Sequence, residues 1–230
     1  MRFGLRKLTL LDYPGSVAAT VFTCGCNFRC PFCHNGSLVL GSDENLECDR
    51  DELLDFLKKR RKVLDAVCFT GGEPLLHKET LDMLAAVKSL GYLVKLDTNG
   101  SFPGRLKLAV DEGLVDTVAM DIKNSPGKYE LTSGSGAALD QVCESVEFLL
   151  KHRLDHEFRT TVVKPLHSRE DFAAIGSWLR GAKRYYLQKF VLSPDILSAD
   201  MVLETPEPEE LREFLAEVQK FIPQAAIRGE

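Results

Sequence analysis

Cys26-Asn-Phe-Arg-Cys30-Pro-Phe-Cys33 places three cysteines within eight residues, spaced C-x3-C-x2-C, and the next cysteine along the chain is Cys48. Thiolate is a soft ligand that selects zinc, Cu(I) or iron–sulfur. A four-iron cluster normally takes four cysteine thiolates. Three of them with no near fourth leave one iron free to bind a substrate or cofactor, which is an enzyme's arrangement rather than an electron carrier's. Structural zinc sites are closed and four-coordinate, and here the fourth ligand would have to come from Cys24, His34 or Cys48. The spacing also departs from the paired C-x2-C blocks of zinc ribbons. Cys24 reads as a spare thiol at a strand end. Cys68, in an apolar strand, and Cys143, on a helix, read as small buried hydrophobes, and Cys48 has no evident role.

The loop follows a β-rich run, Val17 to Phe22, and from there the chain alternates short apolar runs with helical patterns. Strands are expected at Ala66–Phe69, Tyr92–Leu96, Thr117–Met120, Glu157–Val163 and Arg184–Leu192. Helices are expected at Asp51–Lys62, Lys78–Leu90, Pro103–Glu112, Leu139–His152, from Ser168 onward, and at Pro208–Phe221. Ser168 is a natural N-cap, with Asp171 three residues on to complete a capping box. Pro208 stands near the start of the last helix, where its missing N–H costs nothing. Strands alternating with helices of this length indicate βαβ units and a parallel sheet. Six units suit an open, partial (β/α)6 barrel of an α/β protein better than the closed eight-fold form, which takes about 250 residues. The cysteines, Glu73, Asp97, Asp121 and Lys123 fall at strand C-termini, where barrel enzymes place their sites.

The 230 residues suit one domain spanning 1–230, with 44% hydrophobic and 27% charged residues in ordinary globular proportion. A net charge of -5 gives no reason to expect nucleic acid as a partner. No apolar run approaches the ~18 residues that span a bilayer, so no membrane association is expected. The N-terminal stretch reaches Asp12 and a turn too soon for a signal peptide and lacks a small-residue cleavage site. The expected compartment is the cytoplasm, where thiols stay reduced. Seven cysteines, three of them clustered, read as metal binding rather than as a disulfide framework.

With an aromatic residue, Phe32, before its last cysteine and a strand before its first, the loop resembles that of the radical S-adenosylmethionine (SAM) superfamily. The resemblance implies that Cys26, Cys30 and Cys33 hold a [4Fe–4S] cluster whose fourth iron is chelated by SAM. One electron from the cluster then cleaves SAM to methionine and a 5′-deoxyadenosyl radical, which takes a hydrogen atom from the substrate. Gly71-Gly72-Glu73-Pro74, after the second strand, is by itself a turn signal. In this context it matches the segment that binds the amino group of SAM. Asp97-Thr98-Asn99-Gly100 and Asp121-Ile122-Lys123 end the next two strands. Read alone they are turn-forming, solvated residues. Together they resemble segments of glycyl-radical activating enzymes that contact SAM and sometimes bind a monovalent cation. Arg159 is a charge on an otherwise apolar strand and needs a partner. It reads either as a structural ion pair or, by the resemblance, as a residue that helps hold SAM. Gln188 interrupts the last strand and would line the adenine end of the pocket. His34 and Asn35 continue the loop beside the cluster, while His77, His152, His156 and His167 read as surface or packing histidines.

The resemblance narrows further. Leu8-Thr-Leu-Leu-Asp-Tyr-Pro-Gly15, the stretch Phe22 to Asn35, Asp121-Ile-Lys123, Lys128-Tyr-Glu-Leu-Thr132 and the closing Ile227-Arg-Gly229 are similar to the activating proteins of anaerobic ribonucleoside-triphosphate reductase. This implies a glycyl radical made on that partner enzyme, with a flavodoxin or ferredoxin as electron donor. Three readings stay open. The first is an activase of this reductase, of pyruvate formate-lyase or of another glycyl-radical enzyme. The second is a radical SAM enzyme acting on a small molecule, such as a deazapurine-forming enzyme. The third is a non-catalytic zinc or iron–sulfur module.

Overall fold

The structure, a computed structural model, describes residues 1–41, 46–134, 139–198 and 201–229. Its strands are β1 (Arg2–Thr9), β2 (Ala18–Thr23), β3 (Cys48–Asp49), β4 (Ala66–Gly71), β5 (Leu93–Thr98), β6 (Thr117–Asp121), β7 (Asp155–Val162), β8 (Tyr185–Lys189) and β9 (Ala226–Ile227). The helices are α1 (Gly36–Val39), α2 (Arg50–Arg60), α3 (Glu79–Ser89), α4 (Pro103–Asp111), α5 (Tyr129–Ser133), α6 (Leu139–Lys151), α7 (Arg169–Trp178) and α8 (Pro208–Gln219).

All nine strands form one sheet in the order β3-β1-β2-β4-β5-β6-β7-β8-β9. From β2 to β8 six neighbours run parallel, and β9 adds a short seventh. The sheet is open: β3 stands at one edge and β9 at the other. This is the open α/β barrel architecture expected from the sequence. β1 and β3 extend it in antiparallel fashion, and neither they nor β9 carry enough periodic pattern to be read from sequence.

The parallel strands are buried on both faces, as the first four residues of β2 and of β4 show. α3, α4, α6, α7 and α8 lay Leu84, Leu106, Val146, Phe172 and Phe214 into a single core cluster. The helix starts are set by local chemistry. Asp49 and Glu52 form a capping box on α2. Asp171 accepts the backbone N–H of Ser168 at 2.9 Å at the head of α7, as its sequence position predicts. Among the described residues no helix is long and apolar enough to cross a membrane.

Candidate active site

The parallel strands β2 and β4 to β8 send polar residues from their C-terminal halves or the loops just beyond toward one cavity of about 250 Å³. β2 leads into the cysteine loop, β4 brings Gly71 and Gly72, and β5 brings Asp97 and Thr98. β6 contributes Asp121, with Lys123 just beyond it, β7 contributes Arg159 and β8 contributes Gln188. Cys26, Phe32, Cys30 and Cys33 form the facing wall, and Phe28, His34, Asn35, Val39, Thr70, Asn99 and Thr161 complete the lining.

The cysteine loop is held from several sides. Asn99 Nδ2 donates to Asn27 Oδ1 at 3.0 Å and approaches Cys26 Sγ at 3.8 Å. The Ser133 carbonyl, at the end of α5, accepts Arg29 N–H at 2.8 Å and the Cys30 thiol at 3.8 Å. The segment after β8 clamps the far side: Leu197 N–H donates to the Cys33 carbonyl at 3.1 Å, and Ser37 Oγ donates to Asp195 at 2.8 Å. Both glycines after β4 are dictated by packing. Gly71 has φ +116°, and a Cβ there would stand 2.4 Å from the Thr23 carbonyl oxygen. A Cβ on Gly72 would stand 2.0 Å from the Gly25 oxygen. Only glycine lets the turn lie flat against the loop that carries Cys26.

Glu73 lies directly behind Thr98 and Asn99, two residues of the cavity lining. Its carboxylate does not line the cavity but is completely buried beneath it. It accepts Leu75 N–H at 3.0 Å, Thr98 Oγ1–H at 2.8 Å and Asn99 N–H at 2.6 Å. The side chain thus ties the β4 turn to the β5 turn. Burial pushes its carboxyl up to about 7, against the pull of those hydrogen bonds.

A chain of charges runs across the floor. Lys95, on β5, donates to one oxygen of Asp97, and Arg159 donates to the other at 3.1 Å. Arg159 also reaches one oxygen of Asp121, whose second oxygen accepts Lys123 at 3.0 Å. Burial alone would raise both carboxyls, but the facing cations override it and hold Asp97 and Asp121 below the usual carboxylate range. Arg159 therefore makes the ion pair that its sequence position allowed, with two acids, and also lines the cavity. Sequence reading passed over Lys95, although its signal was the one that singled out Arg159: a charge on an apolar strand.

The donor set suits a cluster. Burial raises all three thiols, Cys30 to about 12, and the Lys123 ammonium acts in the opposite direction at each. A metal ligand must be deprotonated, so the neighbouring Lys123 cation favours the thiolate form that iron requires. Cys24, Cys48, Cys68 and Cys143 do not line this cavity. The family model described as "Radical SAM superfamily" matches residues 20–179.

The chain belongs to the radical SAM superfamily. It is a radical SAM enzyme, and membership implies a [4Fe–4S] cluster and SAM as cofactors. A Methanocaldococcus jannaschii protein, provisionally named a glycyl-radical enzyme activating enzyme, is 29% identical over 98% of this chain and 94% of its own length. The pyruvate formate-lyase-activating enzyme of Clostridium pasteurianum is 31% identical over 62% of this chain and 61% of its own. Streptococcus suis SuiB, solved bound to S-adenosylmethionine, superposes with a TM-score of 0.69 at 14% identity. That likeness, one of fold, covers 90% of this chain and 48% of SuiB.

Proposed function

We propose that this radical SAM enzyme installs a glycyl radical on a partner enzyme, anaerobic ribonucleoside-triphosphate reductase. The observation that carries activation of a glycyl-radical enzyme is the near end-to-end similarity to the Methanocaldococcus jannaschii protein. The reductase as partner is favoured by Leu8–Gly15 and Lys128–Thr132, the motifs on which the narrower resemblance rests. In the structure the second of these motifs lies largely within α5, whose last carbonyl braces the cysteine loop.

Cys26, Cys30 and Cys33 would hold the cluster, which with SAM supplies one-electron cleavage of a carbon–sulfur bond and a hydrogen-abstracting radical. Lys123 and Arg159 present cationic groups suited to the carboxylate of SAM. Gly71 and Gly72 offer open backbone, Phe32 an apolar wall, and Asp97, Thr98, Asp121 and Gln188 the polar contacts around the rest of the molecule. Glu73 acts through Thr98 and Asn99 by fixing their turn. A flavodoxin or ferredoxin would deliver the electron, in the cytoplasm, to a protein working as one domain.

The test is electron paramagnetic resonance of the reduced, cluster-loaded protein mixed anaerobically with SAM and either anaerobic ribonucleotide reductase or pyruvate formate-lyase. A glycyl doublet with the reductase alone is the expected result. A doublet with pyruvate formate-lyase alone would reassign the partner, and SAM cleavage with neither would move the enzyme to a small-molecule substrate.

A further inference from the structure

The monovalent cation suggested by the resemblance to activating enzymes does not fit this floor. Such an ion would need oxygen ligands with charge to spare, and the side-chain oxygens of Asp97, Thr98 and Asp121, at the ends of β5 and β6, each already hold a hydrogen bond. Asp97 gives one carboxylate oxygen to Lys95 and the other to Arg159. Asp121 gives one to Arg159 and the other to Lys123. The Thr98 hydroxyl donates to Glu73 and accepts Gly100 N–H at 3.1 Å. Three cations thus face two carboxylates, and a further positive ion would add uncompensated charge to a buried site, where such charge is costly.

We propose that Lys95 is the built-in counterion of this pocket, taking the place of an alkali cation beside Asp97. Its side chain is 4% exposed, it points to the same strand face as Asp97, and it does not line the cavity. Its ammonium lies 3.9 Å from Cys68 Sγ, a further neighbour on β4. Lys95 is a positioning residue: it neutralises Asp97 from below, which leaves the guanidinium of Arg159 shared between Asp97 and Asp121 rather than drawn wholly to one.

The test has two readouts, the first of which is independent of the SAM-binding reading. Sodium-23 line widths are recorded for the protein in tetramethylammonium chloride as NaCl is added and then displaced by KCl. SAM affinity is measured on the cluster-loaded protein in sodium, potassium or tetramethylammonium chloride at equal ionic strength. The wild type is expected to show no potassium-displaceable broadening and SAM affinities equal within about twofold. Lys95→Met should gain displaceable broadening and bind SAM about fivefold or more weakly in tetramethylammonium than in the alkali salts. Lys95→Arg should behave as the wild type.

A wild type that broadens the sodium line or needs an alkali salt for SAM would overturn the proposal. So would a Lys95→Met variant weakened equally in every salt, which would make the lysine merely structural. If Lys95→Met fails to fold, the wild-type salt comparison still decides. If SAM binds in no salt, the reading of the cavity fails and the sodium line alone decides the counterion.

Discussion

Arg159 donates through Nη2 to Asp97 at 3.1 Å, joining the end of β5 to β7 across the intervening strand β6. The same guanidinium holds Asp121 on β6, so a single planar group bridges two partly buried acids. Lysine presents a compact point charge and cannot reproduce that fork. Arg159→Met leaves both carboxylates short of a partner, and a broken buried pair costs about 3–5 kcal/mol. Chemical denaturation is expected to show a loss of that order for Arg159→Met and a smaller one for Arg159→Lys. An exposed pair such as Lys151–Glu147 gives the contrasting result, with no measurable change on removal.

The cluster assignment separates one cysteine from three. Cys26→Ala, Cys30→Ala and Cys33→Ala are each expected to abolish SAM cleavage and lower the iron retained after anaerobic reconstitution. Cys24→Ala should keep most of both, because Cys24 does not line the cavity. Iron analysis of the four variants checks this, and loss of iron from Cys24→Ala would show the ligand set to be wrong.

The two glycines after β4 make a steric prediction. Gly72→Ala drives a methyl group into the Gly25 carbonyl, and Gly71→Ala adds the strain of φ +116° to its own clash. Each should destabilise the fold by more than ~1 kcal/mol, since both the conformation and the space exclude a side chain. Gly104→Ala is the control: it lies in α4, meets nothing within 4 Å, and should stabilise by up to about 1 kcal/mol. Melting temperatures of the three variants rank them.

A pH effect is expected away from the site. Burial lowers the pKa of His156 below its ordinary value of 6.5, and among the described residues its Nε2 has no hydrogen-bond partner. The unfolded chain therefore binds the proton more readily than the folded one. Stability tied to His156 is present above 6.5 and is lost as the pH falls below it. His156→Phe should lose less stability than the wild type on going from neutral to mildly acidic pH, as read by denaturant midpoints.

Much of this was legible in the sequence. The six parallel strands announce themselves as β-rich runs between helical patterns, and the C-terminal placement of Asp97, Asp121, Lys123 and the cysteine loop follows from that alternation. β3 and β9 escape because two residues carry no period. The burial of Glu73 was not legible, because a carboxylate in a turn reads the same whether it is open to the cavity or buried under three donors. What decides its position is the approach of the β5 turn, a contact 25 residues away in sequence. The clamp of Asp195 on Ser37 spans 158 residues and leaves no local trace at all.

Isotope transfer tests the central claim most directly. A partner reductase carrying glycine deuterated at both α positions is mixed with the reduced enzyme and SAM, and the 5′-deoxyadenosine is weighed by mass spectrometry. The account requires one deuterium in the product, appearing with the glycyl doublet. Unlabelled 5′-deoxyadenosine and no radical on the reductase would contradict it.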